Sequence, residues 1–232
     1  MIETYAVRFL TVPEAMIFDL DGTLFRTETL LLPAYRQTFA QLKKEKLYVR
    51  ECPPEQRFID SLGLLLEDIW KNVLPDQPVA VHERANELLL AYQLEGLKAG
   101  IGQLYPGVRE TLRELREAGV RLFVASNGLE PYVRGVVEAK GLSGLFEGIY
   151  SAGGYRTASK ADLVRLLLSE RGVGKAWMVG DRVSDVEAGK RNGLTVIGCD
   201  YAGFHHAGEL EQADRRIGGF PQLLSHYRAA LV

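Results

Sequence analysis

The segment Asp-Leu-Asp-Gly-Thr at positions 19–23 places two carboxylates two residues apart. A carboxylate such as Asp19 can attack phosphorus and form an aspartyl-phosphate. A second carboxylate beside it, Asp21, can give a proton to the leaving group and later take one from water. Gly22 permits a sharp turn and lets backbone N–H groups approach an anion. The alternative is a solvated Asp-Gly turn, but the four fixed residues of the pattern Asp-x-Asp-Gly-Thr favour a functional site.

Two further positions are suited to holding a phosphoryl group. Ser126 and Asn127 precede Gly128, and a hydroxyl with free N–H groups suits phosphoryl oxygens, although Ser-Asn-Gly is also a common turn. Lys160 follows Ser159 at the start of a predicted helix, where the helix dipole disfavours a cation. A bound phosphate would reverse that preference; the alternative is a lysine that faces solvent.

Asp181 and Asp185 could share one hard cation. Mg²⁺ prefers oxygen ligands and commonly takes one or two carboxylates together with substrate phosphate. Asp185 alone could be explained as an acid in the first turn of a helix, but Asp181 at a strand end has no such explanation. With Asp19, Asp21 and Lys160 nearby, the pocket would carry a large negative charge. One Mg²⁺ would lower that charge and polarise a phosphoryl group.

The elements that would position these residues alternate between strand and helix. Apolar segments at 15–18, 120–125, 176–179 and 194–197 predict buried strands. Helix starts are predicted with Pro106 as a first helical residue and with two capping boxes, Ser159 with Asp162 and Ser184 with Glu187. The alternation predicts an α/β fold with a Rossmann-like parallel sheet and helices on both faces. Ligands bind such sheets at the carboxyl ends of the strands.

A long stretch with helical periodicity interrupts this alternation directly after the first strand. It extends from about 27 to 98, and prolines at 53, 54, 75 and 78 divide it into several predicted helices. We therefore predict a catalytic core of residues 1–24 and 104–232 and an inserted all-α domain of residues 25–103.

Composition excludes several functional classes. The net charge of −2 gives no basic excess for nucleic acid or an anionic lipid surface. No run of about 20 apolar residues exists, and Glu3 and Arg8 interrupt the N-terminal apolar stretch. Cys52 and Cys199 are too few and too far apart for a disulfide framework. We expect a cytoplasmic enzyme that is a monomer or homodimer and binds neither nucleic acid nor membrane.

These sites, in this order, resemble the haloacid dehalogenase (HAD) superfamily, over the whole predicted core. The four motifs of that superfamily match Asp19–Thr23, Ser126, Lys160, and Asp181 with Asp185. An insert between the first and second motifs matches its helical cap. The branch it resembles contains phosphoglycolate phosphatases, β-phosphoglucomutases and small 5′-nucleotidases.

The resemblance implies catalytic and metal-binding roles. Asp19 is the implied nucleophile and a Mg²⁺ ligand. Asp21 is the implied general acid and base, and its backbone carbonyl also reaches the metal. Asp181 binds Mg²⁺, and Asp185 binds it directly or through water.

The resemblance also implies which groups hold the phosphate. Ser126 and Lys160 would hold the transferring phosphoryl group. Backbone groups near Leu20, Gly22 and Asn127 would complete a cradle around it.

Two comparisons within the superfamily favour hydrolysis of a phosphate ester. Its dehalogenases lack the second aspartate of the first motif, and its phosphonatases replace it; Asp21 is present here.

Two residues depart from the pattern of the superfamily. Ala161 follows Lys160, where many phosphoglycolate phosphatases have proline, so glycolate phosphate is less favoured. Arg182 stands where a smaller residue is frequent and would pair with an acid.

The expected function is a Mg²⁺-dependent phosphatase of a small phosphorylated metabolite, such as a phosphoglycolate-like compound, a sugar phosphate or a nucleoside monophosphate. The alternatives are a phosphosugar mutase and a non-catalytic protein that binds phosphorylated metabolites. The cap would close over the site, with Arg26, Arg36 and Arg57 as candidates for substrate selection. The four histidines have no ligand spacing, and the adjacent pair His205 and His206 is expected on a loop surface.

Overall fold

The computed structural model describes residues 10–203 and 207–232. Within these residues, six parallel strands form one sheet in the order β5-β4-β1-β6-β7-β8. The strands are β1 (Ala15–Phe18), β4 (Arg121–Ser126), β5 (Gly148–Ser151), β6 (Ala176–Gly180), β7 (Thr195–Cys199) and β8 (Arg215–Ile217). The predicted parallel α/β fold is confirmed.

The first strand lies at the centre of the sheet. It pairs with β4 on one side and β6 on the other, and Phe18 is level with both Val124 and Val179. The chain passes from β1 to β4 and β5 on one side and then crosses to β6, β7 and β8 on the other; this reversal of strand order beside β1 creates the crevice where open α/β sheets bind ligands. Asp19, Ser126 and Asp181 therefore meet at one edge of the sheet.

Apolar side chains alternate between the two faces of the sheet, as the period of a strand requires. Met16 and Phe18 pack into one buried cluster, and Ala15 and Ile17 pack into a second on the opposite face. Helices cover both faces. They are α5 (Val108–Glu117), α6 (Glu130–Ala139), α7 (Ala152–Tyr155), α8 (Lys160–Arg171), α9 (Val183–Arg191) and α10 (Gln222–Ala230).

The stretch after β1 contains several helices, as predicted. They are α1 (Glu28–Lys44), α2 (Glu55–Ile59), α3 (Leu66–Val73) and α4 (Val79–Lys98). A short antiparallel ribbon of β2 (Phe25–Arg26) and β3 (Gln103–Leu104) joins the two ends of the stretch. The helices share a buried cluster of their own, built around Tyr35, Phe58 and Trp70. We call α1 to α4 with the loops between them the insert.

Two predicted helix starts are wrong and one is confirmed. Pro106 is not a first helical residue, because Gly107 caps α5 in a left-handed conformation and the helix begins at Val108. Ser184 does not cap α9; that helix begins one residue before it, and its first turn is held by Asp185, whose carboxylate accepts from the Arg182 N–H at 3.0 Å. Ser159 caps α8 as predicted.

Some predicted features lie outside the described residues, namely Glu3, Arg8, His205 and His206. In residues 10–203 and 207–232, no helix combines the length and the apolar character needed to cross a bilayer.

Candidate active site

Three buried carboxylates meet beyond the carboxyl ends of β1 and β6. Asp19 directly follows β1, Asp181 directly follows β6, and Asp185 is in the first turn of α9. One oxygen from each side chain lies within 4.8 Å of the others, and all three residues are at most 4% exposed. Oxygen ligands at this spacing are the donor set that a hard divalent cation requires.

Lys160 is the cation of this cluster. It is the first residue of α8, and its Nζ donates to Asp19 Oδ1 at 2.5 Å and to Asp185 Oδ1 at 2.6 Å. Its side chain is 2% exposed, so it is no solvent-facing lysine. Burial lowers its pKa, but Asp185 and Asp19 more than compensate and the net pKa is raised. The lysine remains charged and faces the pocket.

One ammonium does not balance three buried carboxylates. Burial raises the pKa of Asp19 to about 7; Lys160 opposes this shift, and Asp185 and Asp21 add to it. Burial likewise raises the pKa of Asp181 well above its usual value, helped by Asp19 and Asp185. A divalent cation against these oxygens would return the carboxylates to their ionised form. The donor set and its charge therefore fit a divalent metal ion.

Glycines let the acidic residues approach one another. At Gly22, where φ is +81°, a Cβ would lie 2.2 Å from Asp181 Oδ2, and at Gly180 a Cβ would lie 2.2 Å from Asp185 Cγ. The Gly22 N–H donates to the Phe25 carbonyl at 3.0 Å. This corrects the expectation that Gly22 donates to phosphate: it provides space for Asp181 instead.

Asp21 is half-buried and has two hydroxyl donors on one oxygen. Thr27 Oγ1 donates to Asp21 Oδ1 at 2.6 Å, and Tyr132 Oη donates to the same oxygen at 2.5 Å. Burial raises the pKa of Asp21, and the hydrogen bonds from Thr27 and Tyr132 counteract that rise. Tyr132 lies on α6, 111 residues along the chain, and no motif in the sequence indicated it.

The end of β4 brings Ser126 to the cavity, and the loop that follows directs Asn127 toward the insert. Ser126 is buried, and its Oγ accepts from the Gly128 N–H at 3.1 Å. Asn127 Nδ2 donates to the Gly63 carbonyl in the insert at 2.8 Å. Its Oδ1 is buried and has no hydrogen-bond partner in the described part of the chain. Asn127 thus connects the core to the insert and leaves one acceptor open.

A cavity lies between this charged end and the insert. The core contributes Asp19, Asp21, Ser126, Asn127 and Lys160. The insert contributes mainly apolar side chains, together with two amides. Its lining residues are Leu31, Phe58, Leu62, Gly63, Leu64, Ile69, Asn86, Leu89, Leu90 and Gln93.

The three arginines that the sequence offered for substrate selection do not line this cavity. Arg26 pairs with Glu28 at 3.1 Å, and Arg36 pairs with Glu55 at 2.6 Å on the surface. Arg57 is exposed beside a separate surface depression. The helices of the insert turn their apolar faces inward, so their arginines remain in solvent.

Arg182 makes contacts that sequence reasoning did not locate. Its Nε donates to Glu209 Oε2 at 2.9 Å, which supplies the expected acid partner from 27 residues away. Its Nη2 reaches the Asp60 carbonyl at 3.5 Å, and a Cβ on Gly63 would lie 2.9 Å from its Cγ. Arg182 therefore packs beneath the loop of the insert that Asn127 also contacts.

The comparisons with known proteins agree on one family. A family model described as haloacid dehalogenase-like hydrolase matches residues 13–193. A phosphoglycolate phosphatase of Mesorhizobium japonicum is 26% identical over 94% of this chain and 92% of its own length. The tyrosine-protein kinase PtkA of Mycobacterium tuberculosis is 30% identical over 82% of this chain and 63% of its own length.

A solved structure shares nearly the whole fold. CbbY from Rhodobacter sphaeroides, in complex with phosphate, superposes with a TM-score of 0.75 and 27% identity. The match covers 93% of this chain and 99% of that one. The six-stranded sheet and the insert are both included in a match of this extent.

Proposed function

Because the chain belongs to the haloacid dehalogenase-like hydrolase family, we propose that it is a Mg²⁺-dependent phosphatase that hydrolyses a small phosphorylated metabolite. The observation that carries this proposal is the site itself. Asp19 lies against a buried lysine and two further carboxylates, with Asp21 on the same loop. The named relatives include a phosphatase and a kinase, so the family name alone does not decide between hydrolysis and transfer.

In the first step, a carboxylate oxygen of Asp19 attacks the phosphorus atom and the bond to the leaving oxygen breaks. Asp21 donates its proton to that leaving oxygen. The raised pKa of Asp21 keeps the acid form available. The products of this step are an aspartyl-phosphate and a free alcohol.

In the second step, a water molecule attacks the phosphorus atom while Asp21 takes its proton. The bond from phosphorus to Asp19 breaks, which releases phosphate and returns the Asp19 carboxylate. Tyr132 and Thr27 hold Asp21 Oδ1 in one place, so the same carboxylate can act in both steps.

The charged neighbours orient and neutralise the phosphoryl group. Lys160 and Ser126 line the cavity beside Asp19 and would contact its oxygens. Asp19, Asp181 and Asp185 would hold Mg²⁺, with the backbone carbonyl of Asp21 as a further ligand. When bound, the ion supplies positive charge against the phosphoryl oxygens.

We also propose that residues 25–103 act as a helical cap on a core of residues 1–24 and 104–232. The cap closes the cavity from the side opposite the carboxylates and excludes bulk water during transfer. Two contacts support this: Asn127 to the Gly63 carbonyl, and Arg182 to the Asp60 carbonyl.

Phosphate release from p-nitrophenyl phosphate tests the proposal. We expect Mg²⁺-dependent turnover that Asp19→Asn abolishes. Asp76→Asn is the matched control, because Asp76 is 77% exposed on the insert. Absence of turnover with Mg²⁺, or full turnover by Asp19→Asn, would contradict the proposal. Isomerisation of β-glucose 1-phosphate without release of phosphate would instead identify a phosphosugar mutase.

A further inference from the structure

The insert presents an uncharged wall to the cavity. None of its described lining side chains is ionisable, and most are leucine, isoleucine or phenylalanine. We infer that the leaving group of the substrate carries no charge of either sign and has substantial apolar surface. This inference rests on the proposed phosphatase function and specifies the class of its substrate.

A charged leaving group has no partner on this wall. Removing a carboxylate, a second phosphate or an ammonium group from water is costly unless an opposite charge receives it. Phosphoglycolate and sugar bisphosphates both bring such a charge. An apolar group, in contrast, is stabilised when it leaves water for contact with leucine and phenylalanine side chains.

Lys160 is the described cation that lines the cavity, and Arg182, beneath the loop of the insert, is paired with Glu209. Lys160 is shared between Asp19 and Asp185, and it serves the phosphoryl group rather than the leaving group. On the insert, Arg36 binds Glu55 and Arg84 binds Glu45, both at the surface. No described cation lines the cavity on the side of the leaving group.

Two buried amide groups are left for an uncharged polar atom. Gln93 is 8% exposed and lines the cavity, and its amide makes no hydrogen bond with the residues in the described ranges. Asn127 Oδ1 is buried without a partner in those ranges. A hydroxyl group on the leaving group could donate its proton to Asn127 Oδ1 and accept a hydrogen bond from the Gln93 amide nitrogen.

The cavity has room for a small leaving group. Its volume is about 80 Å³, and a single water molecule needs about 10–15 Å³ on this measure. The cavity is also partly open to solvent, so a short alkyl or hydroxyalkyl group fits it without being fully enclosed.

Two-carbon phosphate esters test the charge directly because their leaving groups share a two-carbon skeleton and differ mainly in the terminal group. Initial rates would be measured on 2-hydroxyethyl phosphate, ethyl phosphate, 2-phosphoglycolate and phosphoethanolamine, all with Mg²⁺. We expect kcat/KM for the two uncharged esters to exceed that for the two charged esters at least about tenfold. We also expect n-butyl phosphate to exceed ethyl phosphate, because it buries more apolar surface.

A variant with an added charge sharpens the test. Leu64 lines the cavity and is 43% exposed, so Leu64→Arg can be accommodated without burying a new cation. It should raise kcat/KM for 2-phosphoglycolate relative to ethyl phosphate about tenfold. Val49→Arg is the matched control, because Val49 is 66% exposed on the insert and does not line the cavity.

The outcomes separate the inference from the function on which it rests. Turnover that favours 2-phosphoglycolate or phosphoethanolamine in the unmodified protein overturns the inference and leaves the phosphatase intact. No turnover of any ester, including p-nitrophenyl phosphate, overturns both.

Discussion

The two walls of the cavity differ in their charge and in the elements that hold their side chains. The core wall is charged, and its side chains are fixed by strands β1 and β6, by the start of α8 and by hydrogen bonds between Lys160 and two aspartates. The insert wall is uncharged and is formed by helices that pack on a separate apolar cluster. In the proposed function, the core wall supplies the groups for phosphoryl transfer, and the insert wall contacts the leaving group. On this proposal the chemistry depends on the core, and selection depends mainly on the insert, with Asn127 as the core residue assigned to the leaving group.

If this division holds, losing Asp21 should have a large effect on activity, second to the loss of Asp19, and its size should depend on the leaving group. For an alkyl phosphate, whose leaving oxygen needs a proton, Asp21→Asn should lower kcat about 10²–10⁴-fold. For p-nitrophenyl phosphate, whose leaving group needs little protonation, the first step should be much less affected. Steady-state and burst kinetics on both esters measure this, with Asp76→Asn as control. An equal loss of first-step rate on both esters would show that Asp21 is not the acid.

Neutralising one carboxylate should separate metal binding from stability. Without metal, Asp181→Asn should stabilise the protein by about 1–3 kcal/mol near neutral pH, because the amide needs neither a buried charge nor the uptake of a proton on folding. The pKa of Asp181 is raised in the folded state, so its destabilising effect develops as the pH rises above the unfolded value of 3.8 and is absent below it. Thermal unfolding across pH measures this difference.

With Mg²⁺ present, the unmodified protein should be more stable than Asp181→Asn. The unmodified protein should gain thermal stability on addition of Mg²⁺, and Asp181→Asn should gain much less. Glu187→Gln on the exposed side of α9 is the matched control. An equal gain for both variants would place the metal elsewhere.

Tyr132 should have a smaller effect that appears in the pH profile. Removing its hydroxyl takes one donor from Asp21 Oδ1, so the pKa of Asp21 should rise further. In Tyr132→Phe we expect about a threefold to tenfold loss of kcat. The alkaline limb of kcat/KM, where the acid form of Asp21 is lost, should shift to higher pH. Tyr48→Phe, within the insert cluster, should leave the profile unchanged.

The smallest expected effect concerns the insert and should not involve the chemistry. Two Arg84 N–H groups donate to Glu45 at 2.7 and 2.9 Å, and these bonds lower the pKa of Glu45 to about 2. Their stabilisation is complete above the unfolded pKa of 4.5 and is lost as the pH falls toward 2. The Tm of Glu45→Gln should therefore be slightly lower at neutral pH and should converge with the unmodified protein in acid. Its kcat should be unchanged; a lowered kcat would link this surface pair to the active site.

The same division explains what the sequence could predict. Asp19, Ser126 and Asp181 lie at the ends of short apolar strands that the sequence pattern predicts. Because the carboxyl ends of parallel strands meet at one edge of a sheet, the sequence predicted that these three residues lie close together. Lys160 and Asp185 were indicated by their positions at helix starts. Gly22 was identified as necessary, but its reason is the close approach of Asp181 rather than a donated N–H.

The insert wall could be predicted only in outline. Periodicity and prolines gave several helices, but not which face of each helix meets the cavity. Charge alone suggested Arg26, Arg36 and Arg57, yet their carboxylate partners or exposure keep them on the surface. Gln93 and Tyr132 lie within helical segments without any local motif. Their roles depend on contacts between distant parts of the chain.

The most direct test of the account is to trap the phosphoryl group. Asp21→Asn, mixed with Mg²⁺ and p-nitrophenyl phosphate and quenched in acid, should accumulate the enzyme intermediate because the second step lacks its base. Mass spectrometry of the digested protein should then find one phosphoryl group on the peptide that contains Asp19, and none when Asp19→Asn is added to the variant. A phosphoryl group on any other residue, or turnover with no phosphorylated enzyme at any time, would contradict the assignment of Asp19 as the nucleophile.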